Sequence, residues 1–334
     1  MKPVLRRRAA SLSRRALLGA ACGAFLLLGA PLRGEAADVK EVRLDWATYN
    51  PVSLVLKEKG FLEAALKDKG IAVRWTQSLG SNKALEYLNG GAIDFGSSAG
   101  AAALLARING NPVKAIYAFS QPEWTALVTT KASGITKPAD LKGKRIAVTR
   151  GTDPHIFLIR ALQGAGLTEK DAKLVLLQHA DGRTALERGD VDAWAGLDPM
   201  MAASEIENGS TLFFRDAAAN TWGVLDVRED FAKEHPDLVR VVIAAYEQAR
   251  TYAVANPAAV TQALVTATKL PEPVIARQLT RTDLSRPEIG KVQADSIQAA
   301  GLALQQAGVI PAETDVAAAV AGLIDTRFNA GPER

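Results

Sequence analysis

The chain has 334 residues, enough for one large or two medium domains, and its 48% hydrophobic and 23% charged residues exclude a disordered or fibrous protein. One cysteine excludes a disulfide framework and a cysteine-based zinc cluster, and three histidines leave little for a histidine-rich metal site. The formal charge of +4 is concentrated at the start: residues 1–36 hold seven of the 40 basic residues and one of the 36 acidic ones, which leaves 33 against 35 beyond them. That balance of about −2 excludes the clustered Lys and Arg surplus of a nucleic-acid-binding surface.

Residues 1–15 are positive, residues 16–30 are apolar or small, and Gly34-Glu35-Ala36 is a small-x-small cleavage site. That order predicts a secretory signal peptide over residues 1–36. Its apolar run, about 15 residues, is shorter than the roughly 20 that span a bilayer. Ser13-Arg14-Arg15-Ala16-Leu17-Leu18 matches a twin-arginine export pattern, and an ordinary secretory leader with a crowded basic end fits the same residues. Gly19 stands where a lipidated Cys22 would want Leu, and cleavage after Ala36 removes that thiol altogether. The expectation is a periplasmic protein, monomeric, without cofactor or metal.

From Val42 onward short strand-like runs alternate with helical ones. Val42–Trp46 reads as a strand, and Asn50 caps a helix that begins at Pro51. Ile71–Thr76 is a strand, and Ser81 is placed to cap the next helix, to about Leu88. Ile93–Gly96, Val113–Phe119 and Thr125–Thr130 follow as strands, with a helix from Ser98 between the first two. A second series starts at Lys144–Thr149: strand, the turn Gly151-Thr152-Asp153-Pro154, helix, strand at Lys173–Gln178, helix from Asp181, strand at Val191–Ala195. After a helix beyond Pro199 come strands near Thr211–Phe214 and Trp222–Val227, and from Phe231 only helices.

Leu88-x-x-Gly91-x-Ile93-Asp94 reappears as Leu186-x-x-Gly189-x-Val191-Asp192 with identical spacing. Two βα series and this repeat predict two α/β lobes, each a mostly parallel sheet flanked by helices. The chain crosses between them twice, near Ser120–Leu127 and Asn220–Val227. Residues 37–125 with 224–334 then form lobe I, and residues 126–223 form lobe II.

Ligands of open α/β sheets bind beyond the carboxyl ends of strands. Those loops carry Asn50, Gly80-Ser81-Asn82, Ser97-Ser98-Ala99, Gly151-Thr152-Asp153 with His155, His179, and Asp198 before Pro199. Small residues expose backbone N–H groups at helix starts, so an anion could be held without Lys or Arg. Ordinary helix capping accounts for any one of these residues taken singly. Trp124 and Trp194 stand beside the same strand ends as candidates for an apolar wall, and Trp46 shares that position.

These residues resemble the substrate-binding proteins of ABC importers for aliphatic sulfonates, in the nitrate/sulfonate/taurine family. The resemblance rests on Asn50-Pro51, Ser78-Leu79-Gly80-Ser81-Asn82, Ile93-Asp94-Phe95-Gly96-Ser97, Asp140 to Val148, the Gly151-to-His155 turn, and Leu186 to Trp194 with Asp198-Pro199. It implies the two-lobed periplasmic binding protein fold (type II), a sulfonate bound in the cleft, and a permease with its ATPase as partners. Ser81-Asn82 and Ser98-Ala99-Gly100 depart from the Pro-Gln and Thr-Gly-Glu frequent in that family. Taurine, nitrate, an aromatic sulfonate or a thiamine precursor therefore stay open as ligands. A carboxylate such as Asp153, Asp181 or Asp198 would suit the ammonium of an aminosulfonate, or simply stabilise its helix start. A hydrolase on the same fold is the reading from a different class. The exported chain has no Cys nucleophile and no G-x-S-x-G turn, which argues against it.

Overall fold

The computed structural model describes residues 39–329. The leader read over residues 1–36 lies outside them. Strand β1 (Glu41–Trp46) leads to helices α1 (Pro51–Lys59) and α2 (Phe61–Leu66), strand β2 (Ala72–Gln77), helix α3 (Ser81–Asn89) and strand β3 (Phe95–Ala99). Helix α4 (Gly100–Ile108) and strand β4 (Val113–Pro122) complete this first stretch. The second runs β5 (Thr125–Thr129), β6 (Arg145–Val148), α5 (Asp153–Gly164), β7 (Lys173–Leu176), α6 (His179–Arg188), β8 (Ala193–Leu197), α7 (Met200–Asn208) and β9 (Thr211–Phe214). The chain ends with β10 (Gly223–Arg228), α8 (Glu229–Glu234), α9 (Pro236–Ala255), α10 (Pro257–Thr268), α11 (Glu272–Leu279), β11 (Thr282–Asp283), α12 (Lys291–Gln306) and α13 (Val316–Leu323).

Local chemistry explains several boundaries. Asn50 Oδ1 accepts from Ser53 N at 3.2 Å, Pro51 supplies a helical φ at the first position, and Gly60 ends α1 with φ +66. Ser81 does not cap α3, because Gly80 occupies the cap position and the Ser81 hydroxyl accepts instead from Ala99 N at 3.0 Å. Helix α6 starts at His179, two residues before Asp181. The C-terminal region is not wholly helical: β11 pairs with the end of β4, and Glu123 N donates to Arg281 O.

The strands form two sheets, in the orders β11-β4-β10-β3-β1-β2 and β7-β6-β8-β5-β9. They are built alike. In the first, β2, β1 and β3 are parallel and β10 runs antiparallel beside β3. In the second, β7, β6 and β8 are parallel and β5 runs antiparallel beside β8. Each antiparallel strand is the first one after the chain changes sheets, between β4 and β5 and again between β9 and β10. The described residues all belong to one compact unit.

The first sheet's core takes in Leu44, Phe95, Phe119, Leu225 and, from α9, Tyr246. Two smaller clusters cover the faces of the second sheet, one around Ile146, Val148 and Phe157, the other around Ala147, Leu186 and Trp194. Ile146 and Val148 face one way and Ala147 the other, as the pleat requires. Helix α9 packs on α1 and α2, and α12 on α4, so most of the C-terminal helices cover the first sheet.

The internal repeat has a structural partner. Asp94 Oδ2 accepts from Arg43 N and Nε at 3.0 Å each, Oδ1 accepts from Nη2 at 2.5 Å, and Nη1 donates to Gly91 O at 2.6 Å. Asp192 accepts the same three bonds from Arg145, N at 2.8 Å, Nε at 3.3 Å and Nη2 to Oδ1 at 2.9 Å, while Nη2 also donates to Gly189 O at 3.0 Å. In both units the arginine of the first parallel strand clamps the turn that begins the third.

Candidate functional site

The carboxyl ends of the parallel strands feed helices α1, α3 and α4 in the first unit and α5, α6 and α7 in the second. Loops from the two units meet at Gly80. A β-carbon built on Gly80 would lie 2.8 Å from Asn82 Oδ1 and 3.0 Å from His179 Nε2, and one on Gly151 would lie 3.9 Å from Asn82 Cβ. A side chain at position 80 would have to displace the Asn82 amide and the His179 ring. Gly80 and Asn82 come from the first unit, Gly151 and His179 from the second.

His179 is 5% exposed, and burial alone pushes its imidazole down to about 3. Its Nδ1 lies 3.2 Å from Thr149 Oγ1, whose own proton goes to Leu177 O at 2.7 Å. Thr149 therefore accepts, and Nδ1 carries the ring proton. The other nitrogen, Nε2, is buried without a hydrogen-bond partner, and so are Asn82 Oδ1 and Gln178 Oε1.

Helices α3, α5 and α6 begin at this meeting point, and the first four N–H groups of a helix have no partner within it. They are nine, twelve and ten residues long. Helix α4 is different. Gly100 N donates to Trp222 O at 2.9 Å and Ala101 N to Thr221 Oγ1 at 3.3 Å, so its first amides are engaged inside the protein.

The other predicted residues fall into three groups. Asn50, Ser97 and Ser98 turn into the first unit: Asn50 Nδ2 donates to Ser97 Oγ at 2.8 Å, Ser97 Oγ to Asp45 Oδ1 at 2.9 Å, and Ser98 Oγ to Asp226 Oδ2 at 2.5 Å. All five side chains are buried. Burial pushes Asp45 up to about 6 and Asp226 well above the usual carboxylate range, the latter helped by the nearby Asp45 charge.

Asp153, at the start of α5, ties both crossovers together. It accepts from Trp124 Nε1 at 2.9 Å, Thr221 N at 3.0 Å and Thr221 Oγ1 at 2.7 Å. Burial raises the pKa of Asp153, and these donors oppose that rise. Trp124, read as a wall, is 4% exposed and sits edge-on to Tyr49, with ring centroids 6.0 Å apart. Thr152 Oγ1 donates to Thr149 O at 2.6 Å, which shapes the Gly151 turn, where φ is +76.

The third group is engaged in other contacts, and in it only His155 also touches the Gly151 turn, with Nδ1 3.5 Å from Gly151 N. Trp194 is fully buried in the apolar cluster with Leu186, its ring against Gly182. His155 Nε2 pairs with Glu169 at 2.9 Å, and that contact is the main cause holding the Glu169 carboxyl below its usual range. Asp198 accepts from Ala202 N at 2.9 Å and from the buried Arg281, which also reaches Glu205. Surface cavities of about 430 and 610 Å³ lie elsewhere, beside Arg160 and between Tyr117 and Arg240.

Sequence reasoning passed over Thr149, Thr221, Asp45 and Asp226. Asp45 had left a signal, a carboxylate between Leu44 and Trp46 in a parallel strand. The two threonines had left none, since their partners lie in other loops.

Two units of this kind, with helix starts and small polar loops facing each other between them, define a two-lobed α/β solute-binding architecture. A solved structure of the alkanesulfonate-binding protein SsuA from Xanthomonas axonopodis pv. citri, bound to MOPS, matches with a TM-score of 0.76 at 25% identity. That match covers 84% of this chain and 97% of the other. The fold is that of the periplasmic binding proteins. The NMT1/THI5-like family model matches residues 52–260, and the chain belongs to that family. A Bacillus subtilis (strain 168) protein provisionally named an aliphatic sulfonates-binding protein is 29% identical over 64% of this chain and 67% of its own length. The taurine-binding periplasmic protein of Escherichia coli (strain K12) is 29% identical over 57% and 60%.

Proposed function

We propose that this chain is the exported solute-binding component of an ABC importer and that it holds an aliphatic sulfonate where the loops of its two units meet. Residues 37–125 with 224–334 act as one lobe and residues 126–223 as the other, flexing at the two crossovers. The observation that carries this reading is the meeting of three helix starts around Gly80, α3 from one lobe and α5 and α6 from the other, with the buried and unpartnered Asn82 and His179 side chains beside them. Buried polar groups are normally satisfied, so this corner is shaped for something polar that enters it.

The starts of α3, α5 and α6 supply backbone donors for an anionic head, with Lys83 and Arg150 flanking the Gly80-Ser81-Asn82 and Gly151-Thr152 turns. Micromolar binding needs about 8 kcal/mol net. Each hydrogen bond to a charged group contributes roughly 1.5–3 kcal/mol, so about four to six donors shared between the lobes suffice, and one lobe alone does not. Binding therefore favours closure. The protein returns its ligand unchanged, and residues 37–334 contain no Cys for a thiol-based hydrolysis.

A thermal-shift panel of alkanesulfonates, nitrate, sulfate, aromatic sulfonates and thiamine precursors tests this on refolded, ligand-stripped protein. A ligand at 100 times its Kd adds about 2.7 kcal/mol of stability. The expected result is a rise with alkanesulfonates. A flat response to every sulfonate beside a rise for another compound overturns the substrate.

A further inference from the structure

We propose that the segment from α11 to β11 is a latch between the two lobes, and that Arg281, clamped on Asp198 and Glu205, holds the ligand-free protein mostly closed. This rests on the two-lobe reading above and deepens it.

Two backbone crossovers alone would leave the lobes free to rotate about them. Helix α11 and strand β11 form a third connection, made by side chains and held from both sides. On one side they belong to the first lobe. Strand β11 pairs with the end of β4, Gln278 Nε2 donates to Thr48 O at 2.7 Å, and Ile275 lies in the first sheet's core. On the other side they grip the second lobe through α7. Val274 shares a small buried cluster with Ala202 and Ala203, and Arg277 Nη1 lies 3.3 Å from Glu205 Oε1. Arg281 Nη1 reaches both oxygens of Asp198, at 3.3 and 3.2 Å, and Nη2 pairs with Glu205.

Burial separates this arrangement from a surface ion pair. The Arg281 side chain is 6% exposed and that of Asp198 2%. The Arg281 carbonyl accepts from Glu123 N at 2.8 Å in the first crossover, and Arg215 of the second lobe holds the Glu123 carboxylate at 2.8 and 2.7 Å. Burial lifts the Asp198 carboxyl to about 6, and the Arg281 charge opposes that rise. The lobes can part in two ways. Either α7 leaves α11 and Arg281 loses both carboxylates, or α11 follows α7, and β11 and Gln278 lose β4 and Thr48. Each route breaks buried polar contacts that water must then replace. Opening is therefore a minority state and not a forbidden one. A ligand meets lobes already near each other, and little of its binding energy goes into closing them.

Pulsed electron spin resonance on ligand-stripped protein reads the latch directly. Residues 37–334 contain no Cys, so Asn89→Cys and Arg188→Cys, at the exposed last positions of α3 and α6, place one spin label on each lobe. The doubly labelled parent is expected to give one dominant distance, with under about a tenth of the molecules in a second form. In Arg281→Met that second form rises to about half, a roughly tenfold shift of the equilibrium. Glu205→Gln leaves the Asp198 pair in place, shifts the equilibrium about two- to fivefold, and serves where Arg281→Met fails to fold. A distribution already split in the parent and unchanged in the variants overturns the latch and leaves two flexing lobes. One identical narrow distance in all three proteins overturns the latch together with the flexing of the lobes. No ligand enters the measurement, so the sulfonate reading stands or falls apart from it.

Discussion

Arg43 with Asp94 and Arg145 with Asp192 are one clamp set in two environments. The arginine and aspartate side chains are 26% and 2% exposed in the first unit, 45% and 31% exposed in the second. A second guanidinium, Arg228, stands 3.5 Å from Asp94, whereas Asp192 has Arg145 alone as its ion-pair partner among the described residues. The same sequence signature thus carries different energies, because dielectric surroundings rather than geometry set the worth of an ion pair.

The largest effect expected from this contrast is that of Asp94→Ala. Removing the carboxylate leaves the Arg43 and Arg228 guanidinium groups and the Arg43 amide without their shared acceptor. Breaking a buried pair costs about 3–5 kcal/mol, and the part-exposed arginines can recover some water. A loss of roughly 2–4 kcal/mol is expected in urea unfolding. A loss below about 1 kcal/mol would show that the two clamps are equivalent after all.

Beyond the clamps the units diverge. Counting from the repeated aspartates, Ser97 and Ser98 of β3 stand where β8 has Ala195 and Gly196. The first unit therefore buries Asp45 and Asp226 among hydroxyls, and the second has an apolar strand there. Its polar stake is His179 at the loop. These two choices respond oppositely to pH. Asp45 has its folded pKa raised from 3.8 to about 6, so its contribution is fully present below 3.8 and is lost as pH rises through 6. His179 has its folded pKa lowered from 6.5 to about 3, so stability is lost as pH falls from 6.5. Between pH 7 and pH 5 the first gains about 1 kcal/mol and the second loses about 2, each unit of pKa being worth 1.36. The wild-type advantage over Asp45→Asn should grow on acidification over that range. The advantage over His179→Gln should shrink. Unfolding free energies at both pH values would read the two slopes, and slopes of equal sign would break the contrast.

The order of strands and helices was legible because period, glycines and prolines report local conformation. Asn50-Pro51 marked the start of α1 and Gly91 and Gly189 the ends of their turns, all within a few residues of what they control. The repeat itself was visible, but not its reason, since Arg43 and Arg145 lie 51 and 47 residues before the aspartates they bind. Ser81 was misread for the same cause: its hydroxyl serves an amide 18 residues away. At the proposed site, Gly80, Asn82, Gly151 and His179 could be named from their loops. Nothing local distinguished them from Asp153, Asp198 or Ser98, whose partners Thr221, Arg281 and Asp226 fold back from distant segments. Trp124 and Trp194 looked alike as aromatic residues near strand ends, and only packing separates the crossover tie from the core residue.

The smallest effect is the control for the first. Asp192→Ala removes an arrangement of the same hydrogen bonds from a setting where water competes for both partners. Its carboxyl is held below the usual range mainly by the Arg145 guanidinium, so its contribution is present above 3.8 and fades as pH falls through that lowered value. Exposed pairs are worth about 0.2–1 kcal/mol, and a loss in that band is expected at pH 7, shrinking as the pH falls below 3.8. Raising the salt concentration should reduce the Asp192→Ala loss and leave the Asp94→Ala loss almost unchanged, since screening acts on the exposed clamp and hardly on the buried one. Equal salt sensitivity of the two variants would mean that burial does not separate the units, and the reading of one clamp in two environments would fall.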